Sequence, residues 1–157
     1  MEEKKTTEEK ALKRLAALCA KSEHCSGEMI DKMRQWGLDD EGAQARILEY
    51  LTKHKFVDDG RFCHAFVEDK IKYNKWGRMK IVQALRMKHV DEDIYQPILD
   101  DVPQKEWIEI LEPLIKAKMR TVKAANDYEA SMKVIRFAAG RGFDMDIIHK
   151  AIDELNK

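Results

Sequence analysis

The sequence is short of the residues that interrupt or cross-link a chain: seven glycines, three prolines and three cysteines in 157 positions. So few glycines and prolines suit a helical protein. Three cysteines cannot all pair, and Cys19, Cys25 and Cys63 stand in or near helical patterns without framework spacing, so they read as reduced thiols. No apolar run approaches the roughly 20 residues of a membrane span. The opening M-E-E-K-K-T-T-E-E-K is too charged for a secretory signal, so the expected location is the cytoplasm, with no membrane partner. Net charge is missing too: 29 Lys and Arg balance 29 Asp and Glu. Any attraction to nucleic acid must therefore come from where the charges are placed.

What is present is apolar residues at helical spacing, 44% of the chain, among 37% charged ones. Residues 1–8 read as a disordered N-terminal segment, although Thr6 followed by Glu9 matches a capping box that would open a helix with Leu12, Leu15, Ala16 and Cys19 inward. Ser26 is the expected cap of a second helix, with Met29, Ile30 and Met33 inward, ended by Gly37. Asp39 or Asp40 starts a third, carrying Ala43, Ile47, Tyr50 and Leu51. In the next pair, Phe62, Ala65, Phe66, Ile71 and Tyr73 give one stripe and Ile81, Val82 and Leu85 another, with a turn at Asn74 to Gly77. Pro97 and Pro113 fall inside helical patterns, where a missing amide and a ring clash kink or shift a helix. The helix running from Pro103 through Trp107, Leu111 and Ile115 to Val122 is longer than its counterparts.

Sliding the chain over itself exposes its organisation. A shift of 52 places Met29, Met33, Leu38, Asp39, Ala43, Ile47 and Tyr50 on Ile81, Leu85, Val90, Asp91, Tyr95, Leu99 and Val102, and a further shift of 53 reaches Val134, Ala138, Phe143, Asp144, Ile148, Ile152 and Leu155. Core positions and turn chemistry repeat together. The reading is all-α: three tandem three-helix repeats, about nine helices, at 9–55, 58–102 and 103–155, stacked into an elongated, curved array because a unit near fifty residues is marginal alone.

No constellation asks for catalysis or a cofactor. His24, Cys25, Cys63 and His64 lack the spacing of a zinc site, and Cys63 and His64 point about 100° apart on a helix, too far for a nucleophile and its base. Acidic runs at 39–41 and 91–93 lie at helix starts, where they complement the helix dipole. Gly140-Arg141-Gly142 lacks the strand and the pattern of a phosphate loop. No enzyme, metal or cofactor is expected. The charged feature that stands out is basic. From Lys70 to His89 the chain carries Lys70, Lys72, Lys75, Arg78, Lys80, Arg86 and Lys88 and no acid, with Tyr73 and Trp76 interleaved. Lys116, Lys118, Arg120 and Lys123 form a second acid-free stretch. Such a surface fits a phosphate backbone or an acidic protein face equally well.

The stretch Asp59-Gly60-Arg61-Phe62-Cys63-His64-Ala65-Phe66-Val67 resembles the D-x-R-F-A-x-x-F-V segment of the RecX regulatory family. Gly77-Arg78-Met79-Lys80-Ile81, with Leu85, Lys88 and Val90, is similar to its G-x-x-K-I-x-x-x-L-x-x-K-G-I. Ser26-Gly27-Glu28-Met29, with Lys32, Met33 and Gly37, fits S-x-x-E-L-x-x-K-L-x-x-x-G with the glutamate one place early, and Arg141-Gly142-Phe143-Asp144 resembles the repeated K/R-G-F/I-D turn. His89 departs from a usual glycine and Cys63 from a usual alanine. The resemblance spans about residues 9–155. It implies a noncatalytic modulator that lies in the groove of the RecA–DNA filament, restrains filament growth, ATP hydrolysis and strand exchange, and so regulates recombinational repair. The expected partner is RecA, bound by a monomer, with weak contact to single- or double-stranded DNA without strong sequence preference; the charge placement offers the eleven basic residues named above as the side chains that could make these contacts. Two alternatives stand beside it: a direct DNA-binding protein using Arg78–Lys88 as a recognition helix with Gln83 and Arg86 reading bases, and a helical scaffold without nucleic acid.

Overall fold

The computed structural model describes residues 6–157. Among them are nine α-helices and no strand: α1 Glu8–Lys21, α2 Ser26–Gln35, α3 Glu41–Lys53, α4 Asp59–Asp69, α5 Arg78–Met87, α6 Glu92–Asp100, α7 Gln104–Thr121, α8 Asp127–Gly140 and α9 Met145–Leu155. The expected disorder of residues 1–5 lies outside the described residues. Thr7 and Glu8 stand at the cap and the first position of α1. The cap of α1 is Thr7, one place after the expected Thr6: its Oγ1 accepts from the Lys10 N–H, while the Thr6 N–H donates to the Trp36 carbonyl at 3.2 Å. Cys25, not Ser26, stands at the N-cap of α2; Ser26 is the first helical residue, and its N–H donates to Asp59 Oδ1 at 2.7 Å.

The repeat register is visible in the burial. Met29, Ile81 and Val134 are all buried, as are Met33, Leu85 and Ala138, and Ala43, Tyr95 and Ile148. The turn that follows each second helix takes a left-handed residue, Gly37 at φ 82°, His89 at φ 60° and Gly142 at φ 93°. That conformation is free to glycine and costs a side chain about 1–2 kcal/mol. Pro97 and Pro113 sit inside α6 and α7 on exposed faces. Two expected inward residues are not inward: Tyr50 is exposed, and Tyr73 is 70% exposed. For Tyr73 the cause is local. α4 runs directly into a π-turn over Lys70–Asn74, and its wider ring breaks the 3.6-residue periodicity from which the stripe is extrapolated.

The chain packs as two compact units, one of residues up to Phe66 with Leu85–Tyr95, the other of Val67–Ala84 with Gln96–Lys157. In the first, α1 and α2 pack on α3 around Ala11, Leu15, Met29, Met33, Ile47, Leu51 and Val57. In the second, α7 packs on α8 and α9, with Trp107, Leu111, Ile115, Ala138 and Ile148 buried.

Each unit contains one joint of the same kind. In the first, the start of α2 sits on the turn after α5: the Cys25 thiol donates to the Lys88 carbonyl at 3.6 Å, and a methyl on Gly27 would overlap that carbonyl. In the second, the start of α5 sits on the turn after α8. The Gly77 N–H donates to the Arg141 carbonyl at 2.8 Å and the Met79 N–H to the Gly142 carbonyl at 2.9 Å, and a methyl on Gly77 would overlap the backbone of Gly142 and Phe143. In the second joint the free amides of a helix start thus find carbonyls on a neighbouring turn, and in the first a thiol does so. Register shifts of 52 and 53 relate the partners, so one joint is used twice.

Candidate functional site

The two family-motif polar residues are occupied within the first unit. Asp59 Oδ1 accepts the Ser26 N–H at the start of α2, and the Arg61 guanidinium holds Glu23 Oε1 at 2.6 Å and the Lys55 carbonyl at 3.1 Å. Phe62, Ile81, Leu85 and Val67 are buried, Gly77 is closed into its joint, and Phe66 is half-buried. This motif is therefore a folding signature whose side chains are engaged inside the protein.

The basic residues divide. Arg86 and Lys88 lie in the first unit and are engaged there: Arg86 Nε donates to the Tyr95 hydroxyl at 3.2 Å, and Lys88 Nζ lies 3.3 Å from Glu28 Oε2. Burial pushes the Glu28 carboxyl up, but the Cys25 N–H and the Lys88 ammonium together outweigh it and hold it below its ordinary value. Of the two α5 side chains that could read bases, only Gln83 is uncommitted in this way.

The remaining cations fall in the second unit. Arg78 pairs with Asp100 at 2.8 Å. Lys72 and Lys75 are exposed on the π-turn and just beyond it, where Lys75 takes φ 56° and returns the Trp76 N–H to the Lys70 carbonyl at 3.1 Å. Lys70 Nζ and Lys80 Nζ each lie 4.9 Å from the centroid of half-buried Trp76, and Lys72 Nζ 5.3 Å from that of Tyr73. From the second basic stretch, Lys118 Nζ lies 5.3 Å from the Phe137 ring, which Arg141 shares at 5.4 Å, while Lys116, Arg120 and Lys123 are exposed at the end of α7. Lys72, Lys80, Lys118 and Arg141 have no carboxylate partner among the described residues. The arrangement alternates cations with aromatic rings, a surface suited to a polyanion that also has flat faces.

Phe137 and Arg141 lie outside both basic stretches, yet the fold adds them to this surface. Arg141 donates from Nη1 to the Asn74 carbonyl at 3.4 Å and accepts from the Gly77 N–H through its own carbonyl, which brings the third repeat's turn to the first basic stretch. The repeat alignment carried the signal, since it puts Arg141 on Lys88.

Among the described residues no group of His, Cys, Asp and Glu could hold a metal ion. Burial pushes the Cys25 thiol up to about 12 and the Cys63 thiol up to about 11, so neither supplies a thiolate near neutral pH. No described helix is long and apolar enough to cross a membrane.

Models of the RecX second and third three-helix domains match residues 58–96 and 104–152. A relative from Acinetobacter baylyi named "Regulatory protein RecX" is 31% identical over 141 residues, 90% of this chain and 85% of that protein. The chain belongs to the RecX family. Another RecX protein, from Clostridium botulinum, is 28% identical over 81% of this chain, which spans 59% of that longer relative. A crystal structure of RecX from Lactobacillus salivarius superposes with a TM-score of 0.86 at 21% identity, covering 95% of this chain and 96% of that one, and shares its fold. Membership in RecX makes this chain a relative of proteins named as regulators.

Proposed function

We propose that this chain is a noncatalytic regulator that binds RecA–DNA filaments and restrains their growth, ATP hydrolysis and strand exchange. The observation that carries the reading is the cation–ring face of the second unit, in a chain whose relatives are named regulatory proteins. A filament repeats its binding sites, so several weak contacts act together through effective concentration. The basic residues Lys72, Lys75, Lys80, Lys116, Lys118, Arg120 and Lys123 are the ones open to such a target, whereas Arg86 and Lys88 stabilise the protein itself. The division into repeats at 9–55, 58–102 and 103–155 belongs to the same reading, the second and third repeats each supplying the turn of a joint.

The test is the ATPase rate of RecA on single-stranded DNA with the wild-type chain and with Lys72→Glu/Lys80→Glu/Lys118→Glu. The wild type is expected to lower the rate, and the triple variant to need at least about tenfold more protein for the same effect, since each lost phosphate contact weakens binding at moderate salt. An unchanged rate with the wild type sinks the proposal.

A further inference from the structure

We propose that the cation–ring face of the second unit binds single-stranded nucleic acid, stacking unpaired bases on Trp76 and Phe137 while the cations over those rings take the flanking phosphates. This deepens the reading above and rests on its nucleic-acid side, adding a strand preference and a location.

Three observations carry it. Lys80 and Lys118 rest over rings and not on carboxylates, so a phosphate can draw them off at the cost of a weak contact, and the ring face they covered becomes free for a base. The two rings are held in one framework. Arg141, which lies over Phe137, also binds the Asn74 carbonyl and, through its own carbonyl, the Gly77 N–H next to Trp76. Finally, a π-turn and a left-handed Lys75 interrupt the end of α4 and set Trp76 beside Lys70; such insertions occur frequently at functional sites.

The rings decide the class of partner. A duplex keeps its base faces stacked on each other and offers them nothing, and an acidic protein surface would use the cations and leave the rings idle. An unpaired strand uses both. Exposed Tyr73, with Lys72 over it, continues the same alternation.

The experiment measures fluorescence anisotropy of labelled oligothymidylate, and of a duplex of equal length, with the full chain at moderate salt. The wild type is expected to prefer the single strand. Trp76→Leu should weaken strand binding about tenfold and leave duplex binding within about twofold, and Trp76→Phe should recover most of the loss. Should Trp76→Leu fail to fold by circular dichroism, Phe137→Leu makes the same test at the other ring. Equal losses on strand and duplex, or no loss on either, overturn the stacking site. So does a wild type that prefers polyglutamate to oligothymidylate. Failure here with RecA ATPase still lowered leaves the regulatory proposal standing; strand binding with an unaffected ATPase does the reverse.

Discussion

His89 holds a left-handed backbone at φ 60° in the turn where the first and third repeats use Gly37 and Gly142. A side chain there costs about 1–2 kcal/mol, partly offset by the greater freedom glycine has in the unfolded chain. His89→Gly is therefore expected to raise stability by about 0.5–1 kcal/mol, read from the urea midpoint. The neighbouring Glu28 makes stability depend on pH. Its folded value lies below the ordinary 4.5, so its contribution is complete at neutral pH and is lost as pH falls through and below that region. Comparing urea midpoints at pH 7 and pH 4 should show a drop, and Glu28→Gln should make that drop smaller. The His89 effect was legible in the sequence as a departure from a usual glycine, whereas the pH effect was not. Glu28 reads as a first-turn acid, and only folding brings Lys88 to it from sixty residues away.

At the scale of elements, the two joints are the sensitive points. A methyl on Gly27 or Gly77 meets backbone, which cannot swing aside as a side chain would, so each Gly→Ala change is expected to cost about 2–3 kcal/mol. Hydrogen exchange gives the check: Gly77→Ala should loosen amides at the start of α5 and at the turn after α8. An exposed control, Gly140→Ala, has nothing near its added methyl and should change little. The helices and their repeat were legible because 3.6-residue periodicity and a positive-φ turn both leave marks in composition. The joints were not, since carbonyl-to-amide contacts between distant segments carry no side-chain signature beyond a small residue. The basic face was half legible: Lys70 to Lys80 announce themselves as a run, but Phe137 and Arg141 join them only through the fold. Tyr73 was misplaced because periodicity cannot foresee a π-turn.

At the scale of the molecule, the first repeat does not complete its own packing. Gly27 and Cys25 need the Lys88 turn, and Arg61 of α4 reaches back to Glu23. A fragment of residues 1–57 is thus expected to show low helicity and a broad melt by circular dichroism, whereas residues 1–96, which restore that turn, should melt cooperatively. The interrupted end of α4 adds a different kind of constraint. From Asp69 to Gly77 the residue count sets the rotational phase of the chain, so dropping one position would rotate the downstream side chains by about 100° and turn Lys72 and Tyr73 away from where they now point. Substitutions at the exposed positions 72–75 are expected to be tolerable to the fold, whereas insertions and deletions are not, so the chain's descendants should vary in spelling at that place while keeping its length.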